Sequence, residues 1–419
     1  MDVFKIYGGR KLRGEVKIQG SKNAVLPILV ATMLHRGRSI VHNCPRIRDV
    51  FIMIDILKYL GCKVEFIDDT IIVDASGDLK TEVPTQFVSQ MRSSIFLMGA
   101  IIGRERKLKI SYPGGCDIGH RPIDLHIKGL RKLGVEIVDD ENGLMECVAQ
   151  DLKGCEIHLD FPSVGATENI MLAASVAEGR TIIRNAAKEP EIMDLQNFLN
   201  SMGAKIYGAG SNTIFIEGVK KFKDVEYKII PDRIVAGTFM VAAAITAGDV
   251  LIKNVVVEHN IPVITKLEEC GCTLYYNDNE LRVIGPKRPK AMEIIKTLPY
   301  PGFPTDMQPQ MMALLSIASG TSIIYESIYD SRFKHAEELN KMRADIRIDS
   351  RIAVVRGVDK LIGTSVVAKD LRGGAALTLA GLAARGTTIV EGIHHIDRGY
   401  QELEKCLQDL GAEIERTSY

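Results

Sequence analysis

The sequence predicts an α/β protein of two domains, each built from three repeats with inner helices and outer sheets. A unit of roughly 70 residues recurs six times along the 419 residues. Each unit opens with a run of small and apolar residues. Its second helical stretch ends in a Leu-Gly-like pair, or in Met342-Arg343 in the fifth unit, where we expect only an altered turn. Such repetition predicts one supersecondary unit that packs against copies of itself.

The third unit illustrates the expected order of elements. Residues 166–179 are alanine-rich and apolar nearly all round, which predicts a buried helix. A short strand is expected over 181–185, then an amphipathic helix over 192–202 and a hairpin-like pair over 204–207 and 214–216. Because a helix that is apolar on all sides belongs inside, three units would surround a bundle of inner helices, and six would form two domains.

Counting the units gives the domain boundaries. Residues 20–230 form the first predicted domain, and residues 1–19 plus 231–419 form the second. Residues 4–19 are expected to form a strand pair that completes the second domain, because the last unit stops without its closing strands. The chain then crosses between the domains twice, which permits closure around a ligand in a cleft between them.

Charged and polar residues occur where the inner helices begin. A helix N-terminus attracts anions, and Ser and Asp are ordinary caps there. Lys and Arg are disfavoured by the helix dipole at this position, so we expect a bound anion to compensate them. The residues concerned are Lys22, Arg92, Ser163, Arg233 and Arg372, with the carboxylates Asp232, Asp306 and Asp370.

A second set of polar residues lies twelve residues after the glycine that closes each inner helix. The second unit differs, because its equivalent residue, Arg121, follows an insertion of six residues. In the other units the positions are Asp49, Glu191, Asn260, Arg332 and Arg398.

The inserted loop contains the strongest chemical signal. It has three glycines and two prolines in the eleven residues from Tyr112 to Pro122, with Cys116 at its centre. This composition predicts a surface loop with unusual backbone angles. Nearby guanidiniums would favour the thiolate form of Cys116 in the empty site. A bound anion would offset their charge, so the sulfur would be protonated again and could act as a general acid. The other seven of the eight cysteines are expected to be buried structural residues.

Composition excludes several classes of protein. The 53 basic and 53 acidic residues balance, and no long basic run occurs, so a nucleic-acid partner is not expected. The first residues lack the apolar core of a signal peptide, and no apolar stretch reaches the ~18 residues that span a membrane. The scattered cysteines show no metal-ligand spacing and fit reduced thiols. We therefore expect a soluble cytoplasmic protein that binds no metal.

Together these motifs resemble the enolpyruvyl transferase family, and within it the enzymes that act on UDP-N-acetylglucosamine, over essentially the whole chain. The resemblance implies the inside-out α/β barrel fold. The motifs are Gly20-Ser21-Lys22-Asn23-Ala24, the loop 113–125 (PGGCDIGHRPIDL), Phe303-Pro304-Thr305-Asp306-Met307-Gln308, Ser331-Arg332-Phe333 and Asp370-Leu371-Arg372.

The resemblance also implies a reaction. The enolpyruvyl group of phosphoenolpyruvate would move to the 3'-hydroxyl of UDP-N-acetylglucosamine by addition and elimination, with release of phosphate. This is the first committed step of peptidoglycan synthesis, and it uses no metal or organic cofactor. The protein is expected to be a monomer or a weak homo-oligomer.

Site residues follow from the same resemblance. Cys116 would protonate phosphoenolpyruvate and be the target of fosfomycin, Asp306 would be the base, and Lys22, Arg121 and Arg398 would bind phosphate. Further cationic contacts to phosphoenolpyruvate are implied for Arg332 and Arg372. Contacts to the nucleotide sugar, or to the same pocket, are implied for Asn23, Arg92, Arg121, Pro122, Ile123, Asp124, Leu125, Ser163, Val164, Gly165, Ile328 and Asp370.

Three other functions are compatible with parts of the sequence. An enolpyruvyl transferase of the shikimate pathway would share the fold but lacks the PGGC loop. A sliding clamp for DNA is also built from six α/β units, but it needs a basic inner surface, and the inner helices here are apolar. A non-catalytic protein that binds a sugar nucleotide would use the same pocket.

Overall fold

The chain divides into two compact units, each with its own hydrophobic core. The computed structural model describes residues 2–114, 122–141 and 143–418. The N-terminal unit comprises the described residues of 20–230, and the C-terminal unit comprises those of 1–19 and 231–419. That these units are the two enolpyruvyl transferase domains, with the active site in a cleft between them, stays a prediction.

The chain begins with two strands, β1 (Asp2–Tyr7) and β2 (Arg13–Lys17), and continues into the three repeats of the N-terminal unit. The first repeat consists of α1 (Lys22–Ala31), β3 (Arg38–His42), α2 (Arg48–Leu60), β4 (Lys63–Ile67), β5 (Thr70–Asp74) and β6 (Glu82–Val83). The second consists of α3 (Thr85–Val88), α4 (Leu97–Glu105), β7 (Lys107–Ile110), α5 (Asp124–Lys132), β8 (Glu136–Asp139), β9 (Met145–Val148) and β10 (Glu156–His158). The third consists of α6 (Val164–Ala174), β11 (Arg180–Arg184), α7 (Pro190–Ser201), β12 (Lys205–Tyr207), β13 (Thr213–Glu217) and β14 (Val225–Lys228).

The C-terminal unit continues the same pattern. Its first repeat consists of α8 (Arg233–Ile245), β15 (Asp249–Lys253), α9 (Ile261–Glu269), β16 (Thr273–Tyr276), β17 (Glu280–Ile284) and β18 (Ile294–Lys296). The next consists of α10 (Gln308–Leu315), β19 (Thr321–Tyr325), α11 (Lys334–Lys341), β20 (Asp345–Asp349), β21 (Ile352–Arg356) and β22 (Ser365–Val367). The last consists of α12 (Leu371–Ala383), β23 (Thr387–Glu391), α13 (Leu403–Asp409) and β24 (Glu413–Ser418). Short 3₁₀ helices over Thr32–Leu34, Arg92–Phe96, Val257–Asn260, Thr305–Met307 and Ile393–Arg398 complete the helical segments.

Inner helices and outer sheets are found in each unit, as predicted. Every residue of α8 from Ile234 to Ile245 is buried, and α8, α10 and α12 pack against one another. In the N-terminal unit, α1, α4 and α6 are the corresponding inner helices. Burial on all sides explains their lack of a polar face, since each large apolar side chain gains about 1.5–3 kcal/mol from leaving water. The predicted fold class, the inside-out α/β barrel, is confirmed.

The sheets contain one strand more than the sequence predicted. In four-stranded sheets such as β10-β11-β13-β12, three strands come from one repeat and the fourth, which runs parallel to its neighbour, comes from another. In the N-terminal unit the exchange is closed, because β14 of the third repeat pairs with β3 of the first. The predicted helix–strand–helix–strand–strand order therefore missed the strand that each repeat donates.

The first two strands complete the C-terminal unit, but they do not pair with each other as predicted. β1 lies between β23 and β24 in the sheet of the last repeat. β2 runs parallel to β15 in the sheet of the fourth repeat. They are the two closing strands that the last repeat lacks. They join different sheets because each repeat's final strand pairs outside its own repeat.

The Leu-Gly-like pairs mark a left-handed turn after each outer helix. Gly61 ends α2 with φ of 115°, a value that glycine adopts without steric cost. Arg343 occupies the same place in the fifth repeat with φ of 69°. The turn is thus preserved there by a non-glycine residue, at a cost of about 1 kcal/mol.

Candidate active site

In the C-terminal unit, one carboxylate lies between two buried guanidiniums. Asp306 sits in the 3₁₀ turn before α10, Arg332 precedes α11, and Arg372 lies in the first turn of α12. Nη2 of Arg332 is 2.7 Å from Oδ1 of Asp306, and Nη2 of Arg372 is 3.1 Å from Oδ2. The Asp306 side chain is 27% exposed, against 4% and 3% for the two arginines. These three residues are called the Asp306 triad below.

The charges of the Asp306 triad stabilise one another. Burial alone would raise the pKa of Asp306, but the Arg332 and Arg372 guanidiniums outweigh it and hold that pKa far below its ordinary value. Burial would lower the pKa of Arg332, but the charge of Asp306 outweighs it, so the pKa of Arg332 is raised. Asp306 therefore stays ionised, and the triad, which has two guanidiniums and one carboxylate, keeps a net positive charge.

Unused donors remain in the Asp306 triad. Nε of Arg332 and Nη1 of Arg372 are buried and have no hydrogen-bond partner in the part of the chain that the structure describes. A buried donor without a partner costs about 1–3 kcal/mol. A bound anion would remove that cost, so the arginines are suited to hold a negatively charged substrate.

Asp370 lies next to this triad and caps α12. Its Oδ1 accepts hydrogen bonds of 2.9 Å from the backbone N–H groups of Arg372 and Gly373. The buried His335 lies nearby, and burial lowers its pKa to about 4, so its ring is neutral at pH 7. Asp370 therefore fixes the start of the helix that positions Arg372.

Arg398 and Ile328 belong to the same unit. Arg398 is half-buried and ends the 3₁₀ helix Ile393–Arg398. The backbone N–H of Ile328 donates a 2.9 Å hydrogen bond to Oε1 of Glu326, in the segment between β19 and Arg332.

In the N-terminal unit, Lys22 lies at the first residue of α1, and Asn23 follows it. Nζ of Lys22 is 2.9 Å from Oδ2 of Asp49, which lies in the first turn of α2. Asp49 is 1% exposed and Lys22 is 12% exposed. The ammonium group thus borders solvent while its counter-ion is buried, which suits a cation that contacts a ligand.

The start of α6 lies beside a buried histidine. Ser163 caps this helix by accepting a 3.3 Å hydrogen bond from the N–H of Ala166. A side chain at Gly165 would come within 3.0 Å of Cε1 of His126. Burial, and then the charge of Arg92, lower the pKa of His126 to about 3. His126 is therefore neutral, and Gly165 leaves room for it.

The family of this chain follows from comparisons with known proteins. A family model described as EPSP synthase (3-phosphoshikimate 1-carboxyvinyltransferase) matches residues 6–407. The chain belongs to the enolpyruvyl transferase family.

Relatives within the family are similar over their whole length. The chain is 60% identical over 416 residues to "UDP-N-acetylglucosamine 1-carboxyvinyltransferase 2" of Caldanaerobacter subterraneus subsp. tengcongensis, covering 99% of this chain and 100% of that protein. It is 52% identical to "UDP-N-acetylglucosamine 1-carboxyvinyltransferase 1" of Carboxydothermus hydrogenoformans, covering 100% and 99% of the two chains.

Solved structures agree with the fold. The enolpyruvyl transferase NikO from Streptomyces tendae superposes with a TM-score of 0.91 at 26% identity, covering 100% of this chain and 99% of that one. An EPSP synthase from Acinetobacter baumannii has a TM-score of 0.76 at 19% identity, with both chains fully covered, and shows the fold alone.

Several residues suggested by the family resemblance lie close together within a unit. Asp306, Arg332 and Arg372 are in direct contact, with Asp370 beside them. In the N-terminal unit, Ser163 and Val164 lie where α6 begins, and Arg92, which is half-buried, opens the 3₁₀ helix Arg92–Phe96. The roles proposed for these residues stay predictions.

The residues that follow the inserted loop differ in their exposure to solvent. Pro122 and Asp124 are exposed, Ile123 is buried and Leu125 is half-buried at the start of α5. Cys116 and Arg121 lie outside the described residues, so their predicted roles stay predictions.

The described cysteines are poor nucleophiles. Burial raises the pKa of Cys62 to about 11 and those of Cys147, Cys270 and Cys272 to about 12. Two of the seven thiols expected to be buried, Cys155 and Cys406, are only half-buried. Cys155 directly precedes β10 and donates a 3.2 Å hydrogen bond from its Sγ to the carbonyl oxygen of Lys132 at the end of α5, and Cys406 lies within α13.

Sequence patterns missed several residues of the site. Glu326, Tyr400 and Gln310 are buried polar residues that are far apart in sequence. Tyr400 lies 5.5 Å from the Arg372 guanidinium, and its hydroxyl is 3.3 Å from Nε2 of Gln310. A glutamine inside an otherwise apolar helix such as α10 was the available signal, because a buried amide needs partners.

Two further searches bear on cofactors and membranes. Across residues 2–114, 122–141 and 143–418, no group of three or more His, Cys, Asp or Glu side chains is placed to hold a metal ion. No helix in those ranges is both long and apolar enough to cross a membrane.

Proposed function

We propose that this protein transfers the enolpyruvyl group of phosphoenolpyruvate to the 3'-hydroxyl of UDP-N-acetylglucosamine and releases phosphate. The observation that carries the proposal is the 52–60% identity, over 99% or more of each chain, to the two relatives named for that activity. It would serve peptidoglycan synthesis. The Asp306 triad supplies a site of suitable charge for the reaction.

The guanidiniums of Arg332 and Arg372 are proposed to bind phosphoenolpyruvate. This substrate carries close to three negative charges, so it would neutralise the excess positive charge of the Asp306 triad. Lys22, Arg121 and Arg398 are proposed to hold its phosphate. Anion binding at the guanidiniums would weaken their hold on the Asp306 carboxylate and raise its pKa.

That coupling reconciles Asp306 with the role of a base. In the free protein its pKa is too low for it to take a proton from a hydroxyl group. With the substrate bound, Asp306 becomes a stronger base beside the sugar hydroxyl. As an ionised group it would also stabilise the positive charge that develops on the central carbon of the enol ester.

The N-terminal unit is proposed to contribute contacts to the nucleotide sugar. Asn23, Arg92 and the Ser163 to Gly165 turn lie at starts of inner helices, where N–H groups and the helix dipole attract anions. The residues Pro122 to Leu125 are proposed to contact the same ligand, as are Ile328 and Asp370 of the C-terminal unit.

Cys116 is proposed as the acid that protonates the methylene carbon of phosphoenolpyruvate. Cys62, Cys147, Cys270 and Cys272 do not fit this role, because burial makes them weak acids. Guanidiniums near the Cys116 thiol would lower its pKa, and a bound anion would partly offset them. The thiol would then hold a proton that it can donate near neutral pH. The same thiol would react with fosfomycin.

The test is phosphate release from phosphoenolpyruvate with purified protein. We expect release that depends on UDP-N-acetylglucosamine and is not supported by shikimate 3-phosphate. No release with UDP-N-acetylglucosamine at high protein concentration would contradict the proposal. Binding of that nucleotide without turnover would instead indicate a non-catalytic protein.

Two variants test the role of Cys116. Cys116→Ala should lose turnover, by about 10²-fold or more, and keep its affinity for UDP-N-acetylglucosamine, because a proton donor is removed and no nucleotide contact is lost. Cys116→Asp should retain some turnover, since a carboxylic acid also donates a proton, and should resist fosfomycin. An active alanine variant, or an aspartate variant inactivated at the original rate, would refute the assignment.

A further inference from the structure

Glu326 is a fully buried carboxylate held by four donors. It follows β19 and is 0% exposed. Its Oε1 accepts hydrogen bonds from Oγ1 of Thr297 at 2.8 Å and from the N–H groups of Ile328 at 2.9 Å and Tyr329 at 3.2 Å. Its Oε2 accepts a 2.9 Å bond from Oγ1 of Thr305. Each contact is a donor, as an acceptor-only carboxylate requires.

The contact to Thr305 continues to the Asp306 triad. Oγ1 of Thr305 donates its proton to Glu326 and accepts a 3.0 Å hydrogen bond from Nη1 of Arg332. Nη2 of the same guanidinium contacts Asp306 at 2.7 Å. Because a guanidinium is planar, fixing Nη1 also fixes the direction of Nη2. The orientation of Arg332 thus depends on the hydroxyl of Thr305.

We infer that Glu326 is a positioning residue, which orients Arg332 through Thr305 and aligns it with Asp306. The inference rests on the proposed function, in which Arg332 contacts phosphoenolpyruvate. The two oxygens of Glu326 have different roles. Oε2 orients Arg332 through the Thr305 hydroxyl, and Oε1 accepts the hydrogen bonds that hold the turn containing Ile328.

A purely structural role would not explain this arrangement. Burying a carboxylate is costly, and an apolar residue would join the three segments at lower cost. The segments are the end of β18, the turn before α10 and the turn before α11, and the last two carry Asp306 and Arg332. An error of about 1 Å in such a contact can cost about 10²-fold in rate.

The test removes the Thr305 hydroxyl alone. Thr305→Val has nearly the same shape and leaves all contacts of Oε1 intact. We expect the KM for phosphoenolpyruvate to rise by about 10-fold or more, with the KM for UDP-N-acetylglucosamine within about 2-fold. Thr305→Ser restores the hydroxyl and should return the KM for phosphoenolpyruvate toward that of the wild type.

Thr297→Val is the matched control, because it makes the same substitution at the other oxygen of Glu326. It should lower stability without raising the KM for phosphoenolpyruvate. Glu326→Gln is the second variant, in case Thr305→Val does not fold. Its amide oxygen would face the three donors at Oε1, and its nitrogen would compete with Arg332 for Thr305, so we expect an intermediate rise in that KM.

Crystal structures of Thr305→Val and Thr305→Ser test the positioning without any assay of activity. In Thr305→Val we expect the Arg332–Asp306 contact to lengthen beyond 4 Å, which is the usual limit of an ion pair. An unchanged contact, or equal KM values for phosphoenolpyruvate in the two variants, would overturn the inference. A wild-type protein that does not turn over would overturn only the proposed function.

Discussion

The inner helices α1 and α6 of one unit and α8 and α12 of the other begin with different side-chain caps, while α4 and α10 begin without one. In the N-terminal unit the caps are Ser21 and Ser163, and each accepts one hydrogen bond of 3.3 Å. In the C-terminal unit they are Asp232 and Asp370, and each accepts two bonds of 2.9–3.0 Å. A carboxylate offsets the positive end of the helix dipole, and a hydroxyl does not. The N-terminal unit therefore leaves positive helix ends for a ligand.

The two units also differ in how they hold their buried ionisable side chains. The C-terminal unit holds its buried charges in contact, with Asp306 between two arginines. The N-terminal unit contains Glu168, which is 1% exposed and has a buried Oε1 with no hydrogen-bond partner in the described part of the chain. Burial, and then the charges of Glu191 and Glu189, raise its pKa well above the ordinary 4.5. The C-terminal unit thus places Asp306 between cations, whereas the N-terminal unit buries Glu168 close to other carboxylates.

The largest expected effect comes from Asp306→Asn. Turnover should fall by about 10²- to 10⁴-fold if Asp306 is the base. The free energy of unfolding should fall by about 3 kcal/mol, because two buried guanidiniums lose their shared counter-ion. Steady-state kinetics and urea unfolding measure these changes.

The matched variant in the N-terminal unit is Asp49→Asn. Its loss of stability should be smaller, about 1–2 kcal/mol, because Lys22 is partly exposed and can be solvated. Equal losses of stability in Asp49→Asn and Asp306→Asn would show that the two units do not differ in the way their charges are held.

A smaller effect is expected from Ser163→Asp, which gives α6 the kind of cap found in the C-terminal unit. The free protein should gain about 0.5 kcal/mol of stability from the charged cap. Affinity for UDP-N-acetylglucosamine should fall by roughly 10-fold, through repulsion of its phosphates. Calorimetric titration measures the affinity.

Ser163→Asn separates charge from size in that experiment, because asparagine is a neutral cap of similar shape. The deficit of Ser163→Asp relative to Ser163→Asn should shrink as salt concentration rises. A deficit that is the same at low and high salt would contradict an electrostatic role for this helix end.

Glu168→Gln should have a still smaller effect that depends on pH. The folded-state pKa of Glu168 is raised, so its contribution to stability is fully present below pH 4.5 and is lost as pH rises toward the folded pKa. The amide has no such dependence. Relative to wild type, Glu168→Gln should therefore become more stable from pH 5 to pH 8, by up to about 1.4 kcal/mol per pH unit. Urea unfolding at both pH values tests this, and a constant difference would show that Glu168 is ionised.

Asp306 should show almost no such change. Its folded pKa is depressed, so its contribution is present above the ordinary 3.8 and is lost only as pH falls below that value. The difference in unfolding free energy between wild type and Asp306→Asn should thus be the same at pH 5 and pH 7. A difference that shrinks by pH 5 would mean that the two arginines do not hold the carboxylate ionised.

Much of the fold could be predicted from the sequence because its signals are local. The strands predicted at 204–207 and 214–216 were found as β12 and β13, and the helix predicted over 166–179 was found as α6, which ends earlier than predicted, at Ala174. The turn at Met342-Arg343 was expected to be altered, but it is preserved, because Arg343 adopts the left-handed conformation that glycine has in the other repeats. The prediction that β1 pairs with β2 was wrong, because strands of similar composition give no signal for a partner in another repeat.

The candidate site was predicted in part. Lys22 and Arg372 stood out because the helix dipole disfavours a cation at the start of a helix, and Asp306 was assigned from the family resemblance. The contact of Asp306 with both arginines had no signal in the sequence, since the three residues belong to different segments of the chain. Glu326 gave none either, because a glutamate after a strand is ordinarily exposed.

The sequence by itself determined the repeat, the inner helices and their caps, since periodicity and capping act over a few neighbouring residues. Only the tertiary structure decided which strand joins which sheet and which buried charges share a partner. Both depend on contacts between residues distant in the chain. For the same reason the pKa values of Asp306 and Glu168 move in opposite directions: Asp306 lies between two cations, whereas Glu168 is fully buried and close to other carboxylates.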